Sequence, residues 1–191
     1  MLYLITGGSG SGKSEYAEKL AVDRHRKRIT GKLYYIATMY PSKDEETQRR
    51  IERHRSMRKD KGFETIECCC GLEQVAAEPE DVLLLECMSN LLANEMYLES
   101  GRIKARGRDS FSQIWDAILH PILKLAERAG DIVLVTNEVF SDGIEYEAET
   151  ETYIRLLGVV NQKLAAAAEG VVEVVCGIPL AVKGKQFLSS Q

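Results

Sequence analysis

Long apolar runs are missing from this chain of 191 residues. No stretch approaches the ~18–20 residues that a bilayer-spanning helix needs, so no membrane anchor is expected. Positive charge is not in excess either. Twenty-five Lys and Arg stand against 29 Asp and Glu, a net charge of −4, which offers no global field to recruit nucleic acid. No repeat and no Gly/Pro/Ser-rich linker interrupts the chain, so one domain over residues 1–191 is expected. Only a short apolar run, residues 2–5, precedes the first glycines. That is too short for the core of a signal peptide, and a cytoplasmic location is the expectation. The five cysteines, an odd number, then read as reduced thiols. Cys68, Cys69 and Cys70 are adjacent, which is not ligand-pair spacing for zinc, and packing is the expected role. Histidine is scarce: His25 and His120 stand in no suggestive setting, which leaves one of three.

What the chain does have is alternation. Apolar runs expected as strands fall at 2–6, 33–37, 63–67, 81–87, 131–136 and 171–176. Helical patterns fall between them at 13–26, 43–59, 89–99, 110–129 and 149–169, with a ragged tail after 176. Ser42 followed by Glu45 has capping-box spacing for the second of these helices. Nearly continuous apolar strands separated by helices imply an α/β fold, its sheet mostly parallel and covered on both faces.

Gly7-Gly8-Ser9-Gly10-Ser11-Gly12-Lys13-Ser14 fits G-x-x-x-x-G-K-[ST], and it lies where that loop must lie, between a strand and a helix. Glycines let backbone N–H groups turn inward around phosphates, and the helix N-terminus adds partial positive charge. Lys13 is expected on the β- and γ-phosphates and the Ser14 hydroxyl on Mg²⁺. Glu86 closes the run of residues 82–85, and a carboxylate there is costly to bury unpaired, so it is the expected second anchor for the metal. Thr136, Asn137 and Glu138 follow the 131–135 run. Ligands of open α/β sheets bind at the carboxyl ends of strands, where these three side chains would line the crevice.

The pattern at 43–59 is polar nearly all round, which is not how a core helix reads. From 49 to 61 it concentrates Arg49, Arg50, Arg53, Arg55, Arg58, Lys59 and Lys61 against Glu52 and Asp60. At helical spacing Arg50, His54 and Arg58 share a face. Flanking arginines disfavour the imidazolium form of His54, keeping it nucleophilic, and would hold a phosphate against it. Spacing alone leaves three readings open. One is covalent catalysis by His54, the second a kinase in which His54 is a surface residue, and the third an NTP-driven module that grips nucleic acid. The absence of interleaved aromatics argues against the third.

The residues quoted so far, with YYIAT at 34–38, RIERHR at 50–55, LLLEC at 83–87, VTNEV at 135–139 and the long stretch at 158–179, carry a resemblance. The chain resembles the bifunctional adenosylcobinamide kinase/adenosylcobinamide-phosphate guanylyltransferases of cobalamin biosynthesis, nearly end to end. The resemblance implies a P-loop NTPase fold of the RecA-like type and homo-oligomers, trimers among them. It implies phosphorylation of a corrinoid with ATP or GTP, then transfer of GMP from GTP. His54 matches the histidine that becomes guanylylated. Thr38, Met39 and Tyr40, then Arg55, Ser56, Met57 and Arg58, match segments that contact the nucleotide, and Glu67 and Glu86 match acidic positions near it. Residues 140–151 depart from the family's proline-containing stretch.

Overall fold

The computed structural model describes residues 1–40, 45, 48, 49, 52, 56, 58–104, 110–140 and 143–185. Its first strand, β1 (Leu2–Thr6), ends at the glycines, and α1 (Lys13–His25) starts from Gly12. There follow β2 (Leu33–Ala37), β3 (Glu64–Glu67), β4 (Val82–Glu86) and α2 (Met88–Tyr97). Helix α3 (Ser110–Ile114) passes through a π-helical turn, Trp115–Leu119, into α4 (His120–Arg128). Strand β5 (Asp131–Val135), α5 (Ala148–Ala167), β6 (Gly170–Val175) and β7 (Ile178–Lys183) complete the described order.

All seven strands enter one sheet in the order β3-β2-β4-β5-β1-β6-β7. Every pairing is parallel except β6 with β7. Strand β5 is inserted between the phosphate-loop strand and the strand of Glu86, the RecA-like arrangement of a P-loop fold. Alternation along each strand supplies two cores. Leu2, Leu4, Leu83 and Leu85 pack with α2, α4 and α5 on one face. Tyr3, Ile5, Leu84 and Tyr35 pack against Ala17 and Ala21 of α1 on the other. Each fully buried Leu or Ile contributes roughly 1.5–3 kcal/mol, and burial on both faces explains why these strands read as unbroken apolar runs.

Two details differ from the sequence expectation. Of the tail after 176, residues Ile178–Lys183 form a strand. Cys176 (φ 49°) and Gly177 (φ 81°) both have positive φ and sit between paired Val175 and Ile178. This two-residue turn launches β7 antiparallel to β6. Pro179 masks the strand in the sequence, and it is tolerated because β7 is an edge strand. The helix expected over 110–129 is likewise not uniform. Pro121 has no N–H to offer the carbonyl of Ala117, four residues back. The Nη2 of Arg102 donates to that carbonyl instead, at 2.8 Å, and the helix widens to a π turn at this point.

Of the expected helix over 43–59, residues 45, 48, 49, 52, 56 and 58 have helical backbone. The proposed cap at Ser42 and the residues Arg50, His54, Arg55 and Met57 lie outside the described residues. At the far edge of the sheet, opposite the carboxyl ends, Asp131 is fully buried. It accepts from Arg24 at 3.1 Å and Arg28 at 2.6 Å, which satisfies a carboxylate that could not otherwise be buried.

Candidate functional site

Strand register builds the site. Ile5, Val135, Glu86, Ala37 and Glu67 stand side by side in one row across β1, β5, β4, β2 and β3. The residues singled out from the sequence at 7–14, 38–40, 86 and 136–138 therefore emerge at or beyond a common carboxyl edge.

The phosphate loop leaves β1 at Gly7, whose φ is 152°. A Cβ there would come within 2.5 Å of the Val174 carbonyl oxygen and 2.6 Å of Ser11 Oγ, so nothing larger than glycine fits. Gly12, with φ 91°, is the left-handed residue that turns the loop into α1. The loop is braced from behind: Ser11 N–H donates to Gly8 O at 3.3 Å, and Gly177 N–H, at the β6–β7 turn, donates to Ser11 O at 2.8 Å. Lys13 is largely buried and its Nζ donates to Gly8 O at 2.9 Å, which sets the ammonium over the loop. Gly8, Ser9 and Gly10 form the loop's outer turn, with Gly10 also at positive φ. A glycine loop, a helix N-terminus and an ammonium together are suited to receive a polyphosphate.

Across β5 from the loop, the Ser14 hydroxyl donates to Glu86 Oε1. The Tyr35 hydroxyl donates to the other carboxylate oxygen at 3.3 Å. Burial first, then the adjacent charge of Glu86, pushes the Tyr35 phenol far above its ordinary value, so it remains a donor. Ser14 and Glu86 offer hard oxygen ligands on one side only, which fits Mg²⁺, an ion that keeps waters and takes phosphate oxygens for the rest of its shell.

Two residues of the basic segment, Arg58 and Lys61, are docked onto this arrangement. Arg58 is only 6% exposed and its guanidinium carbon lies 3.3 Å from the centre of the Tyr35 ring. Lys61 reaches Glu18, fully buried on α1, at 2.5 Å. The polar segment is thus not wholly a solvated face. The reason is chemical: a planar cation can lie on an aromatic ring, and an ammonium can satisfy a buried carboxylate. Arg58 Nη1 is buried and has no hydrogen-bond partner among the described residues.

The other expected nucleotide contacts separate. Thr38 is fully buried; its hydroxyl donates to Cys87 O at 3.0 Å and accepts from Cys87 N–H at 2.7 Å. Asn94 Nδ2 donates to Thr38 O at 2.7 Å. Thr38 therefore ties the exits of β2 and β4 together, and the exposed Tyr40, with Met39, follows from that fixed point. Ser56 is exposed. Glu67 is at the same edge but four strands from β1, roughly 19 Å at ordinary strand spacing. It lines a cavity of about 780 Å³ with Cys68, Cys69, Cys70, Glu73 and Arg102. Among the described residues no cluster of His, Cys, Asp and Glu could hold a metal.

Beyond β5, a polar chain fixes residues 136–138. Thr136 donates to Asn161 Oδ1 at 2.7 Å, and Asn137 Nδ2 donates to Ser89 Oγ at 2.6 Å. Tyr153 donates to Ser89 O at 3.2 Å. Sequence reasoning passed over Tyr35, Glu18, Ser89 and Asn161. Glu18 left a trace, as a carboxylate beside Ala17 on the packed face of α1; Ser89 and Asn161 left none.

A family model described as cobinamide kinase / cobinamide phosphate guanyltransferase matches residues 3–182. The chain is 35% identical over 190 residues to the bifunctional adenosylcobalamin biosynthesis protein CobU of Escherichia coli (strain K12), covering 96% of this chain and 100% of that protein. To the protein of the same name from Salmonella typhimurium it is 34% identical, with the same coverage. Among solved structures, the flagellar accessory protein FlaH from Methanocaldococcus jannaschii aligns with a TM-score of 0.48 at 13% identity, over 95% of this chain and 77% of that one.

Proposed function

The chain belongs to the cobinamide kinase / cobinamide phosphate guanyltransferase family, and we propose that one phosphate-binding loop in it serves both reactions. In the first, the γ-phosphoryl of ATP or GTP passes to the hydroxyl of adenosylcobinamide. In the second, His54 attacks the α-phosphorus of GTP, pyrophosphate leaves, and adenosylcobinamide phosphate takes the GMP from the histidine. The observation that carries this reading is the convergence on one carboxylate. Glu86 receives the loop's Ser14 on one oxygen and, through Tyr35, meets Arg58 of the basic segment on the other. A phosphate grip and the segment that includes His54 are thereby joined at a single point. The relatives' names, which include "bifunctional", favour two activities over a monofunctional kinase.

The chain's residues divide the work. Backbone N–H groups of residues 7–14 bind the phosphates, and Lys13 offsets the charge that builds on the transferring group. Ser14 and Glu86 would hold Mg²⁺, which when bound neutralises phosphate charge. Tyr35 orients Glu86 by its hydrogen bond. Thr38 acts by position, holding Met39 and Tyr40 against the nucleotide. Arg55, Ser56, Met57 and Arg58 flank the guanylylated histidine, and Glu67 lies where the far end of the nucleotide would reach. Holding reactants in place does most of the work in such transfers. A covalent GMP keeps the nucleotide positioned while a bulky second substrate arrives. We further propose a single cytoplasmic nucleotide-binding domain that assembles as a homo-oligomer, its partners a corrinoid and a nucleoside triphosphate rather than nucleic acid. Support comes from the one continuous sheet, the net negative charge and the family resemblance.

The test uses α-labelled GTP and Mg²⁺ with the pure protein. A covalent label is expected that is lost in mild acid, survives alkali as a phosphorus–nitrogen bond does, and is absent from His54→Asn. Normal labelling of that variant would move the nucleophile elsewhere. Kinase activity with neither label nor guanylylated product would leave only the monofunctional reading.

A further inference from the structure

We infer that Glu138 is the general base of the kinase step and takes no part in guanylyl transfer; the inference rests on the two-reaction reading above. The two reactions make different demands. The first acceptor is a neutral alcohol, which must lose a proton as its oxygen bonds to phosphorus. The second acceptor is already an anionic phosphate, and the nucleophile before it is a neutral imidazole. A base has work in one reaction only, so a carboxylate devoted to it can be separated from the rest of the site by mutation.

The position of Glu138 singles it out. Strand β5 lies between the phosphate-loop strand and the Glu86 strand, so the residues leaving it pass between loop and metal anchor. The backbone follows the loop closely: Thr136 N–H donates to Ile5 O at 2.9 Å and Glu138 N–H to Gly7 O at 3.1 Å, Gly7 being the loop's first glycine. Glu138 is half-exposed, so it can meet a substrate. Its segment is fixed by the bond from Asn137 to Ser89 and by Thr136 to Asn161. Its own Oε1 accepts the Phe140 N–H at 2.9 Å, which orients the carboxylate.

Four other acidic side chains around the site are committed or displaced. Glu86 receives Ser14 and Tyr35, and Glu18 is fully buried on Lys61. Glu173 lies on the other side of β1, paired in register with Thr6. Glu67 is four strands away. In the step itself the alcohol proton passes to the Glu138 carboxylate while the alcohol oxygen bonds to the γ-phosphorus. The bond from that phosphorus to the β-phosphate bridging oxygen breaks, and the nucleoside diphosphate leaves with its electron pair. The proton returns to water after product release. Base catalysis of this kind contributes typically ~10²–10⁴-fold.

The experiment compares wild type, Glu138→Gln and Glu138→Asp in both half-reactions. Glutamine keeps a carbonyl oxygen for the Phe140 N–H but cannot take a proton, so a purely structural role would survive the change. For Glu138→Gln we expect kinase kcat to fall at least about 100-fold, with KM for the nucleotide and the rate of covalent labelling by α-labelled GTP within about threefold of wild type. Glu138→Asp is expected to recover part of the kinase rate. Kinase turnover within about threefold of wild type in Glu138→Gln would overturn the assignment. So would a parallel loss of kinase and labelling, which would make Glu138 a structural residue. A wild-type protein that labels with GTP but phosphorylates no corrinoid would refute the two-reaction reading, and the base with it.

Discussion

The guanidinium carbon of Arg58 lies over the ring of Tyr35, 3.3 Å from its centre, while the hydroxyl of the same tyrosine donates to Glu86. One aromatic side chain thereby joins Arg58 of the basic segment to the carboxylate proposed to hold the metal. Its two contacts can be removed separately.

Tyr35→Phe keeps the ring under Arg58 and removes only the hydroxyl. Outer hydrogen bonds of this kind typically govern metal affinity by ~10–100-fold. The Mg²⁺ concentration for half-maximal kinase activity should rise about tenfold, with kcat at saturating Mg²⁺ close to wild type. An unchanged Mg²⁺ titration would detach the hydroxyl from the site. Arg58→Ala, in contrast, should destabilise the fold by about 2 kcal/mol, the worth of a desolvated cation–π contact, as read by urea denaturation.

Lys13→Ala should lose both activities, each by more than about 100-fold, if both reactions use the ammonium set over the loop, as proposed. Circular dichroism should remain native. Full kinase turnover in this variant would show that the two reactions do not share a site.

Asp131→Asn tests the opposite edge of the sheet. Its carboxylate is fully buried against Arg24 and Arg28, and breaking such a pair strands the remaining charges. The variant should lose about 3 kcal/mol and melt about 6–12 °C lower. Its KM for nucleotide should be unaltered, since the loop lies at the other end of the strands.

The cysteines offer a test of burial. Desolvation, with smaller contributions from Cys69 and Cys70, pushes the Cys68 thiol up to about 11 from its ordinary 9.0. Because the folded value is raised, the protonated thiol is compatible with the fold below about pH 9. Stability is lost as the pH climbs from there toward 11, where the unfolded chain ionises first. At pH 8, iodoacetamide should modify exposed Cys176 rapidly and spare Cys68 until urea unfolds the protein. Peptide mass spectrometry distinguishes the two.

Legibility in the sequence followed the kind of constraint. The phosphate loop was readable because its backbone demands glycine at Gly7, where a Cβ would strike the Val174 carbonyl, and at left-handed Gly12. The sheet was readable because burial on both faces leaves strands such as residues 82–85 without polar positions. Contacts between distant segments left no such mark. Nothing in the spacing of Tyr35 and Arg58 announces that one lies on the other. Thr38 fits a nucleotide-contacting segment by resemblance, yet its hydroxyl faces the Cys87 backbone. Strand β7 went unseen because a proline sits within it.

That last strand bears on how the protein is made. The loop at residues 7–14 is backed by Val174 and by Gly177, whose N–H holds Ser11 O, so its rear wall comes from residues synthesised more than 150 positions later. Ribosomes add about 5–20 residues each second, and a growing chain therefore carries its glycine loop for several seconds before the hairpin that shapes it exists. The loop has its rear brace only once the β6–β7 turn stands behind it.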